Sequence, residues 1–290
     1  MAHSFKIVRL KNGACSVHSL AYAETCHPAV GPVAEAESLY VEQIHLTQQL
    51  AAHRGTFVIW DVGLGAGANV LTVLRACQTG AGPIHIVSFD QSLEPLRFGF
   101  EHRDELKYFA GYESVVDEFL ANGRATLREK ARDVQWEMVL GDFPAWLERN
   151  AGSSPDKILK PDLILFDPFS PAKNPAMWTL PLFENLFRAL DPRRPCLLPT
   201  YSRSTLLRVT MLLAGFFVGT GRRIGEKEET TVAANTPALI EHPLGRAWLE
   251  RVRKSDSAEP LREPVYQKSP ITESSWKKLL AHPQMTASSL

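Results

Sequence analysis

Short apolar runs alternate with amphipathic stretches along most of the chain. Apolar runs with the length of buried strands lie at 56–62, 84–89, 136–140, 163–166, 196–200, 216–220 and 230–234. Stretches with helical spacing of their apolar residues lie at 34–52, 69–77, 95–109, 115–130, 143–150, 182–190 and 204–214. Because strands alternate with helices, the pattern predicts an α/β fold with a mostly parallel, seven-stranded sheet and helices on both faces. The last two strands have no helix between them, which predicts an antiparallel pair at the end of the sheet.

The two ends of the chain depart from this alternation. Residues 1–33 are expected to form an irregular or β-hairpin lead-in, with Asn12-Gly13 as a turn. Beyond residue 240 the chain is rich in Pro, Ser, Lys and Arg. The sequence therefore predicts one large domain at 1–240, lead-in included, and a polar tail at 241–290 that is partly disordered or wrapped on the surface.

The strongest local motif is Asp61-Val-Gly63-Leu-Gly65-Ala-Gly67-Ala-Asn69, which directly follows a predicted strand and opens a predicted helix. Glycines let the backbone turn sharply and approach a ligand, and the start of a helix offers free N–H groups. The spacing also fits the phosphate-binding fingerprint of dinucleotide enzymes. However, the Asp61 carboxylate would repel a pyrophosphate and attract the ammonium of a methionine moiety. The motif and the antiparallel end of the sheet therefore favour S-adenosylmethionine over NAD, and the class I methyltransferase variant of the Rossmann-like fold.

Two further carboxylates come at the ends of predicted strands, where ligands of such sheets bind. Asp90 is placed to accept a hydrogen bond from a ribose hydroxyl, and Asp142, in Gly141-Asp142, from the adenine amino group. Either side chain could instead cap the helix that follows it, and this alternative stays open. The predicted cofactor-binding residues are Asp61, Gly63, Gly65, Gly67, Asp90 and Asp142.

The candidate catalytic residue is in Asp167-Pro168-Phe169-Ser170-Pro171, which follows the buried strand at 163–166. A carboxylate at this strand end would lie beside the transferred methyl group. It could orient an amine by accepting its N–H and stabilise the cation that forms. The alternative is a buried turn in which Asp167 only accepts backbone N–H groups.

The charge of the chain does not indicate whether it binds nucleic acid. The formal net charge is +0, so the chain as a whole offers no electrostatic argument for an RNA partner. Between Pro192 and Gly225 there are six arginines and no acidic residue. This run could face phosphate groups, or it could lie on a solvated face balanced by acids elsewhere.

The sequence predicts neither a metal site nor a membrane segment. Its four cysteines are scattered, and His27 beside Cys26 without distant partner ligands is weak support for zinc. The cysteines are expected to be buried or half-buried free thiols. No apolar run approaches the roughly 20 residues of a membrane helix, and residues 1–11 lack a signal-peptide core. A cytoplasmic location is expected.

The segment 167–179, Asp-Pro-Phe-Ser-Pro-Ala-Lys-Asn-Pro-Ala-Met-Trp-Thr, closely resembles the signature of the tRNA 5-methylaminomethyl-2-thiouridine methyltransferases. The likeness spans about residues 10–235. Its other parts are the glycine loop, Asn12-Gly13, His18-Ser19, Glu35-Ala36, Thr200-Tyr201-Ser202, Ala214-Gly215-Phe216 and 227–233.

This resemblance implies a single Rossmann-like domain that methylates the aminomethyl group of a wobble uridine in tRNA, with Asp167 as the catalytic carboxylate. The substrate-side residues that it implies are Lys173, Asn174, Trp178, Tyr201 and Lys227. In many relatives the domain is fused to a flavin-dependent oxidase. A chain of 290 residues is too short to include that oxidase, so a stand-alone form is expected, with a separate enzyme supplying the aminomethyl-uridine substrate.

Two departures from the family's pattern bear on the substrate. Pro168 stands where the fused relatives usually have glycine, which makes the motif similar to the Asp-Pro-Pro-Tyr type of amine and base methyltransferases. Glu228 follows Lys227 where the family commonly carries arginine. This change weakens the case for RNA contact by that loop, although Arg222 and Arg223 could compensate.

Two other functions are open. A methyltransferase acting on a small amine or a protein would use the same site, and the neutral net charge favours it while the signature at 173–178 opposes it. A non-catalytic module that binds S-adenosylmethionine or RNA is opposed by the intact Asp167-Pro-Phe motif and glycine loop.

Overall fold

The computed structural model describes residues 4–28, 30–78, 82–129, 132–154, 158–223 and 229–287. The described strands are β1 (Phe5–Arg9), β2 (Cys15–Ser19), β3 (Glu24–Thr25), β4 (Phe57–Val62), β5 (Ile84–Asp90), β6 (Arg124–Glu129), β7 (Arg132–Leu140), β8 (Leu163–Phe166), β9 (Leu197–Thr200), β10 (Phe217–Gly221) and β11 (Thr230–Ala234). The described α-helices are α1 (Pro32–Glu37), α2 (Leu46–Ala52), α3 (Ala68–Ala76), α4 (Glu94–Glu101), α5 (Arg103–Leu106), α6 (Glu113–Asn122), α7 (Phe143–Asn150), α8 (Leu180–Ala189), α9 (Thr205–Ala214), α10 (Arg246–Lys254), α11 (Glu273–Leu280) and α12 (Pro283–Ala287).

The chain divides into two compact units. The first unit comprises Met1–Phe143, Leu163–Phe169 and Arg222–Glu228. The second comprises Pro144–Asp162, Ser170–Gly221 and Glu229–Leu290. This division differs from the predicted boundary at residue 240.

The first unit contains most of the parallel sheet. Its strands have the order β8-β4-β5-β7-β6. Strands β8, β4, β5 and β7 are parallel to their neighbours, and β6 is antiparallel to β7. All residues of β4 and β8 are buried, as is typical of parallel strands that are covered on both faces. The predicted α/β class is confirmed.

The N-terminal lead-in is a small antiparallel sheet of the first unit, in the order β1-β2-β3. Gly13 has a φ of +87°, and its N–H donates to the Leu10 carbonyl at 2.9 Å. The predicted hairpin turn at Asn12-Gly13 is therefore confirmed.

Strand β6 is an element that the hydrophobic pattern did not predict. The helix expected at 115–130 ends at Asn122, because Gly123 adopts a left-handed φ of +69° and caps α6. From Arg124 the burial alternates, with Ala125 and Leu127 buried against the sheet. The described part of the large sheet has eight strands, five from the first unit and three from the second. The prediction was seven, and the additional strand is β6.

Two predicted helices are interrupted. The helix expected at 34–52 consists of α1, a π-helix at Ser38–Glu42, and α2, with His45 in a left-handed conformation before α2. The helix expected at 95–109 divides into α4 and α5 at His102. Neither break is marked by glycine or proline. Because the helical spacing of apolar residues continues across both breaks, the sequence pattern predicted one continuous helix in each case.

The second unit holds an antiparallel sheet portion in the order β10-β11-β9. The predicted antiparallel pairing of the last two strands is confirmed. Helix α9 is almost entirely buried, and α10 and α11 pack against it. Buried side chains such as Val252 and Leu279 show that the described part of the predicted tail packs within the second unit, which agrees with the surface-wrapped alternative.

Candidate active site

Three acidic residues lie at the carboxyl ends of neighbouring parallel strands in the first unit. Asp61 is near the end of β4, Asp90 ends β5, and Asp167 follows β8. The register pairs Asp61 with Ser88 on one side and with Leu165 on the other. The three acids therefore share the sheet edge where ligands of α/β folds bind.

The glycine loop, residues 61–69, connects β4 to α3. Its three glycines are required for different reasons. Gly63, Gly65 and Gly67 have φ values of +90°, +53° and +81°. A Cβ on Gly63 would lie 3.0 Å from the Asp167 carbonyl oxygen, and one on Gly67 would lie 2.7 Å from Leu96 Cδ1. A Cβ on Gly65 would meet only the Gly63 carbonyl oxygen, at 3.9 Å. Gly63 and Gly67 thus allow close packing, whereas Gly65 borders open space that a ligand can occupy.

Asp90 supports the glycine loop from the next strand. Its Oδ2 accepts from the Gly65 N–H at 2.9 Å, and its Oδ1 accepts from the Gln91 N–H at 2.7 Å. Burial raises the pKa of this carboxyl, although the backbone hydrogen bonds act in the opposite direction. Helix α4 begins after Leu93 and has no side-chain cap, so Asp90 does not cap that helix. Its predicted contact with a ribose hydroxyl stays a prediction.

Asp61 is wholly covered by protein atoms. Its Oδ2 accepts from the Ser88 hydroxyl at 2.7 Å, and Ser88 in turn accepts from the Trp136 indole N–H at 2.9 Å. Its Oδ1 is buried and has no hydrogen-bond partner within the described residues. Burial raises the pKa of Asp61 to about 7. This orphaned oxygen is an acceptor of the kind that the ammonium of S-adenosylmethionine needs.

Asp142 is exposed at the start of α7. The preceding Gly141 donates its N–H to the Asp90 carbonyl at 2.9 Å, which places this turn beside the end of β5. Its predicted contact with adenine stays a prediction, as does the capping alternative.

Asp167 is held by groups from two other parts of the first unit. Its N–H donates to the Val62 carbonyl at 3.0 Å, which extends the pairing of β8 with β4 by one residue. Asn69 Nδ2 donates to Asp167 Oδ2 at 2.8 Å, and His27 Nε2 lies 3.4 Å from the same oxygen. The Asp167 side chain is 14% exposed, so it is sheltered yet reachable. Neither Asn69 nor His27 is among the predicted site residues, although Asn69 stands at the end of the loop motif and could have been found from that position.

Neither a reactive thiol nor a cluster of metal ligands is found among the described residues around this site. All four cysteines are free thiols, buried or half-buried as predicted. Burial and the Asp167 charge raise the pKa of Cys26 to about 12, which leaves this thiol protonated and unreactive. In the described part of the chain no group of three or more potential metal ligands occurs.

Four of the five predicted substrate-side residues, Lys173, Asn174, Trp178 and Tyr201, lie in the second unit. The backbone N–H groups of Lys173 and Asn174 both donate to the Ser170 carbonyl at 2.8 Å, which forms a tight turn before a 3-10 helix at Pro175–Trp178. Lys173 is exposed, and Asn174 and Tyr201 are half-buried. Lys227 lies outside the described residues.

Trp178 is the most deeply buried of the described residues predicted on the substrate side. Its side chain is fully buried, and its ring meets the Tyr201 ring edge-on, with centroids 6.2 Å apart. Trp178 packs against Tyr201 in this structure, and its predicted contact with substrate stays a prediction.

The arginine run does not act as one surface. Arg194 bonds to Asp162, and the fully buried Arg208 bonds to Glu229 at 2.9 Å. Four members of the run are exposed and are the ones that could meet phosphate: Arg193, Arg203, Arg222 and Arg223.

Comparisons with known proteins agree with this geometry. The model of a family described as S-adenosyl-L-methionine-dependent methyltransferase matches residues 107–236. The chain is similar to the tRNA 5-methylaminomethyl-2-thiouridine biosynthesis bifunctional protein MnmC of Burkholderia multivorans, with 28% identity over 79% of this chain and 35% of that protein. The protein of the same name from Cupriavidus necator is 27% identical over 81% of this chain and 36% of its own length. The chain thus spans about a third of the length of these relatives.

The fold also matches that of a solved protein. The crystal structure of MnmC2 from Aquifex aeolicus has a TM-score of 0.68 and 24% identity, covering 95% of this chain and 84% of that one. The predicted resemblance, the Rossmann-like class I fold and the cofactor S-adenosylmethionine are confirmed. Residues 107–236 thus resemble a family of S-adenosylmethionine-dependent methyltransferases. Within the described residues, no helix is long and apolar enough to cross a bilayer.

Proposed function

We propose that this methyltransferase acts on tRNA and methylates the 5-aminomethyl nitrogen of a wobble uridine, which gives 5-methylaminomethyl- or 5-methylaminomethyl-2-thiouridine. The observation that carries the proposal is the signature at 167–179, whose first residue, Asp167, is oriented by Asn69 at the sheet edge. The names of the similar proteins specify the same modification. A tRNA substrate would place the enzyme in the cytoplasm, and a separate enzyme would supply the aminomethyl group.

The proposed cofactor site is the sheet edge of the first unit. S-adenosylmethionine, when bound, supplies a methyl group on a positively charged sulfur. Gly65 gives it space, and Asp90 accepts from the ribose hydroxyls while it holds the glycine loop. Asp61 is the proposed partner of the ligand's ammonium, and Asp142 that of the adenine amino group.

Asp167 is the proposed catalytic residue. The attacking amine must be neutral and must point its lone pair at the methyl group. The Asp167 carboxylate accepts an N–H of that amine and so fixes its orientation. As the nitrogen gains its fourth bond it becomes positive, and the adjacent carboxylate stabilises that charge. One of the N–H protons of this methylated ammonium is then lost to the carboxylate or to water.

The substrate side is proposed to use the turn and aromatic pair of the second unit. Lys173 is exposed and can pair with a phosphate; Asn174, next to it in the motif, and the half-buried Tyr201 offer further polar groups. The exposed arginines would add phosphate contacts, and Lys227 is proposed for the same role. Such contacts release counterions, so binding of tRNA should weaken steeply as salt rises.

Methylation of a small amine or of a protein is the second candidate. The formal net charge of +0 and the commitment of Arg194 and Arg208 to internal ion pairs favour it. Both leave less positive charge for a polyanion than the arginine run first suggests.

The experiment offers three acceptors to the purified protein with methyl-labelled S-adenosylmethionine. These are tRNA from cells that lack the modification, a simple primary alkylamine, and a protein mixture. We expect label in the tRNA only, and a strongly reduced rate of labelling with Asp167→Asn. Label in the amine or the protein but not in tRNA would favour the second candidate. Cofactor binding without transfer to any acceptor would point to a non-catalytic module.

A further inference from the structure

The N-terminal lead-in contacts the catalytic motif at two points within the first unit. His27 Nε2 lies 3.4 Å from Asp167 Oδ2. The Tyr22 ring stacks on the Phe169 ring, with centroids 4.4 Å apart and planes 23° apart. A segment that stacks on one residue of a motif and approaches the carboxylate of another is placed to affect the chemistry of that motif.

The backbone of the lead-in is held in an unfavourable conformation at His27. Its φ is +48°, in the left-handed region that non-glycine residues seldom adopt. The His27 side chain is only 8% exposed, and its Nδ1 is buried with no hydrogen-bond partner within the described residues. Strained backbone and unsatisfied buried nitrogen both cost stability, and such features concentrate at functional sites.

We propose that His27 is a positioning residue for methyl transfer, which donates its Nε2–H to Asp167 Oδ2 and fixes the carboxylate for the incoming amine. The proposal rests on the catalytic role proposed for Asp167. An aspartate carboxylate rotates easily, because its terminal torsion has broad minima. Asn69, at the start of α3, already donates to Oδ2. A second donor, from the N-terminal lead-in, would further restrict rotation of the carboxylate. Donation from Nε2 leaves the lone pair of neutral His27 on Nδ1.

Two variants at position 27 separate the side chain from the backbone. His27→Gly removes the donor while it tolerates the positive φ, and His27→Gln restores an N–H near the position of Nε2. We expect His27→Gly to lower kcat roughly 10- to 100-fold, with little change in KM or in the Kd for S-adenosylmethionine. His27→Gln should recover most of the loss.

His45 provides a matched control, since it is a histidine of the same unit with a φ of +52°. His45→Gly should leave kcat unchanged. In an Asp167→Asn background, His27→Gly should cause little further loss, because both residues act through one carboxylate. Equal losses in the two backgrounds, or a kcat for His27→Gly within twofold of the wild type, would overturn the proposal.

A spectroscopic test needs no substrate and so separates this inference from the tRNA assignment. Nitrogen-15 NMR of histidine-labelled protein reports which ring nitrogen carries the proton. We expect neutral His27 to be protonated at Nε2 in the wild type, and to lose this preference in Asp167→Ala. An Nδ1-protonated ring, or no change on removing the carboxylate, would contradict the proposed donation even if tRNA is the substrate.

Discussion

The two units differ in whether their buried ionisable groups have partners of opposite charge. In the first unit, burial raises the pKa of Asp61 to about 7 and also raises the pKa of Asp90, with backbone and hydroxyl donors as their partners. In the second unit, the fully buried Arg208 bonds to Glu229, to the Thr231 hydroxyl and to a backbone carbonyl. The second arrangement satisfies its charge within the protein, whereas the first keeps acids close together at the sheet edge.

This difference separates groups that serve the fold from groups kept for a ligand. A buried ion pair with its hydrogen bonds satisfied needs nothing further. Acids with raised pKa values gathered at one edge are costly to ionise, and this cost can be recovered when a cationic ligand binds. S-adenosylmethionine carries such charge on its ammonium and sulfonium groups. The two units should therefore respond differently to mutation.

The largest effect is expected for Asp167→Asn. Loss of the charge beside the developing cation should lower the rate of methyl transfer roughly 100- to 1000-fold. Cofactor affinity should be retained, because the glycine loop and Asp90 are untouched. Transfer rates and calorimetric affinity are measured on the same preparation. An equal loss of both would mean that Asp167 serves cofactor binding or folding instead.

Gly65→Val should weaken cofactor binding roughly 100-fold, which corresponds to about 2.7 kcal/mol. The branched side chain would fill the open space next to the loop. Gly123→Val is the matched control, since Gly123 also has positive φ and open surroundings but lies at the end of α6. Unchanged affinity in Gly65→Val, or an equal loss in the control, would remove the loop from the site.

In the second unit, Arg208→Met should lower the free energy of unfolding by about 3 kcal/mol, because it leaves buried acceptors without a donor. The affinity for S-adenosylmethionine should not change. Arg193→Met replaces an arginine whose side chain is 87% exposed and should not alter stability measurably. Denaturant titration checks both variants. Loss of cofactor affinity in Arg208→Met would show that its ion pair also serves the site.

The pH dependence of cofactor binding should report Asp61. Its pKa is raised to about 7, so the carboxylate that attracts the ammonium is lost as the pH falls below that value. Affinity should fall about tenfold per pH unit on the acid side. The affinity should reach its maximum below the pH at which the ligand's amino group, with a pKa of about 8, deprotonates. Asp61→Asn should abolish the acid-side slope, and a slope that persists in this variant would assign it to another group.

The sequence predicted the sheet edge well, because strand order and motif position follow from local patterns. Asp61, Asp90 and Asp167 each follow an apolar strand, and parallel strands bring their ends together. The pattern could not give β6, since one left-handed glycine, Gly123, turns a helical run into a strand.

Long-range packing explains the rest of what was missed. Helix α10 is rich in arginine, and it buries only Leu249 and Val252, so its composition resembles that of a solvated tail. The approach of His27 to Asp167 joins residues 140 positions apart in the chain, which no local pattern reports. The burial of Trp178 against Tyr201 is likewise a result of packing that the family signature does not report.

The most direct test of the central claim is the position of the transferred methyl group. After reaction of unmodified tRNA with methyl-deuterated S-adenosylmethionine, tandem mass spectrometry of the digested nucleosides locates the deuterium. The account predicts a deuterated methyl group on the aminomethyl nitrogen of the wobble uridine. Deuterium on a ring atom, on a ribose oxygen or in another nucleoside would contradict it.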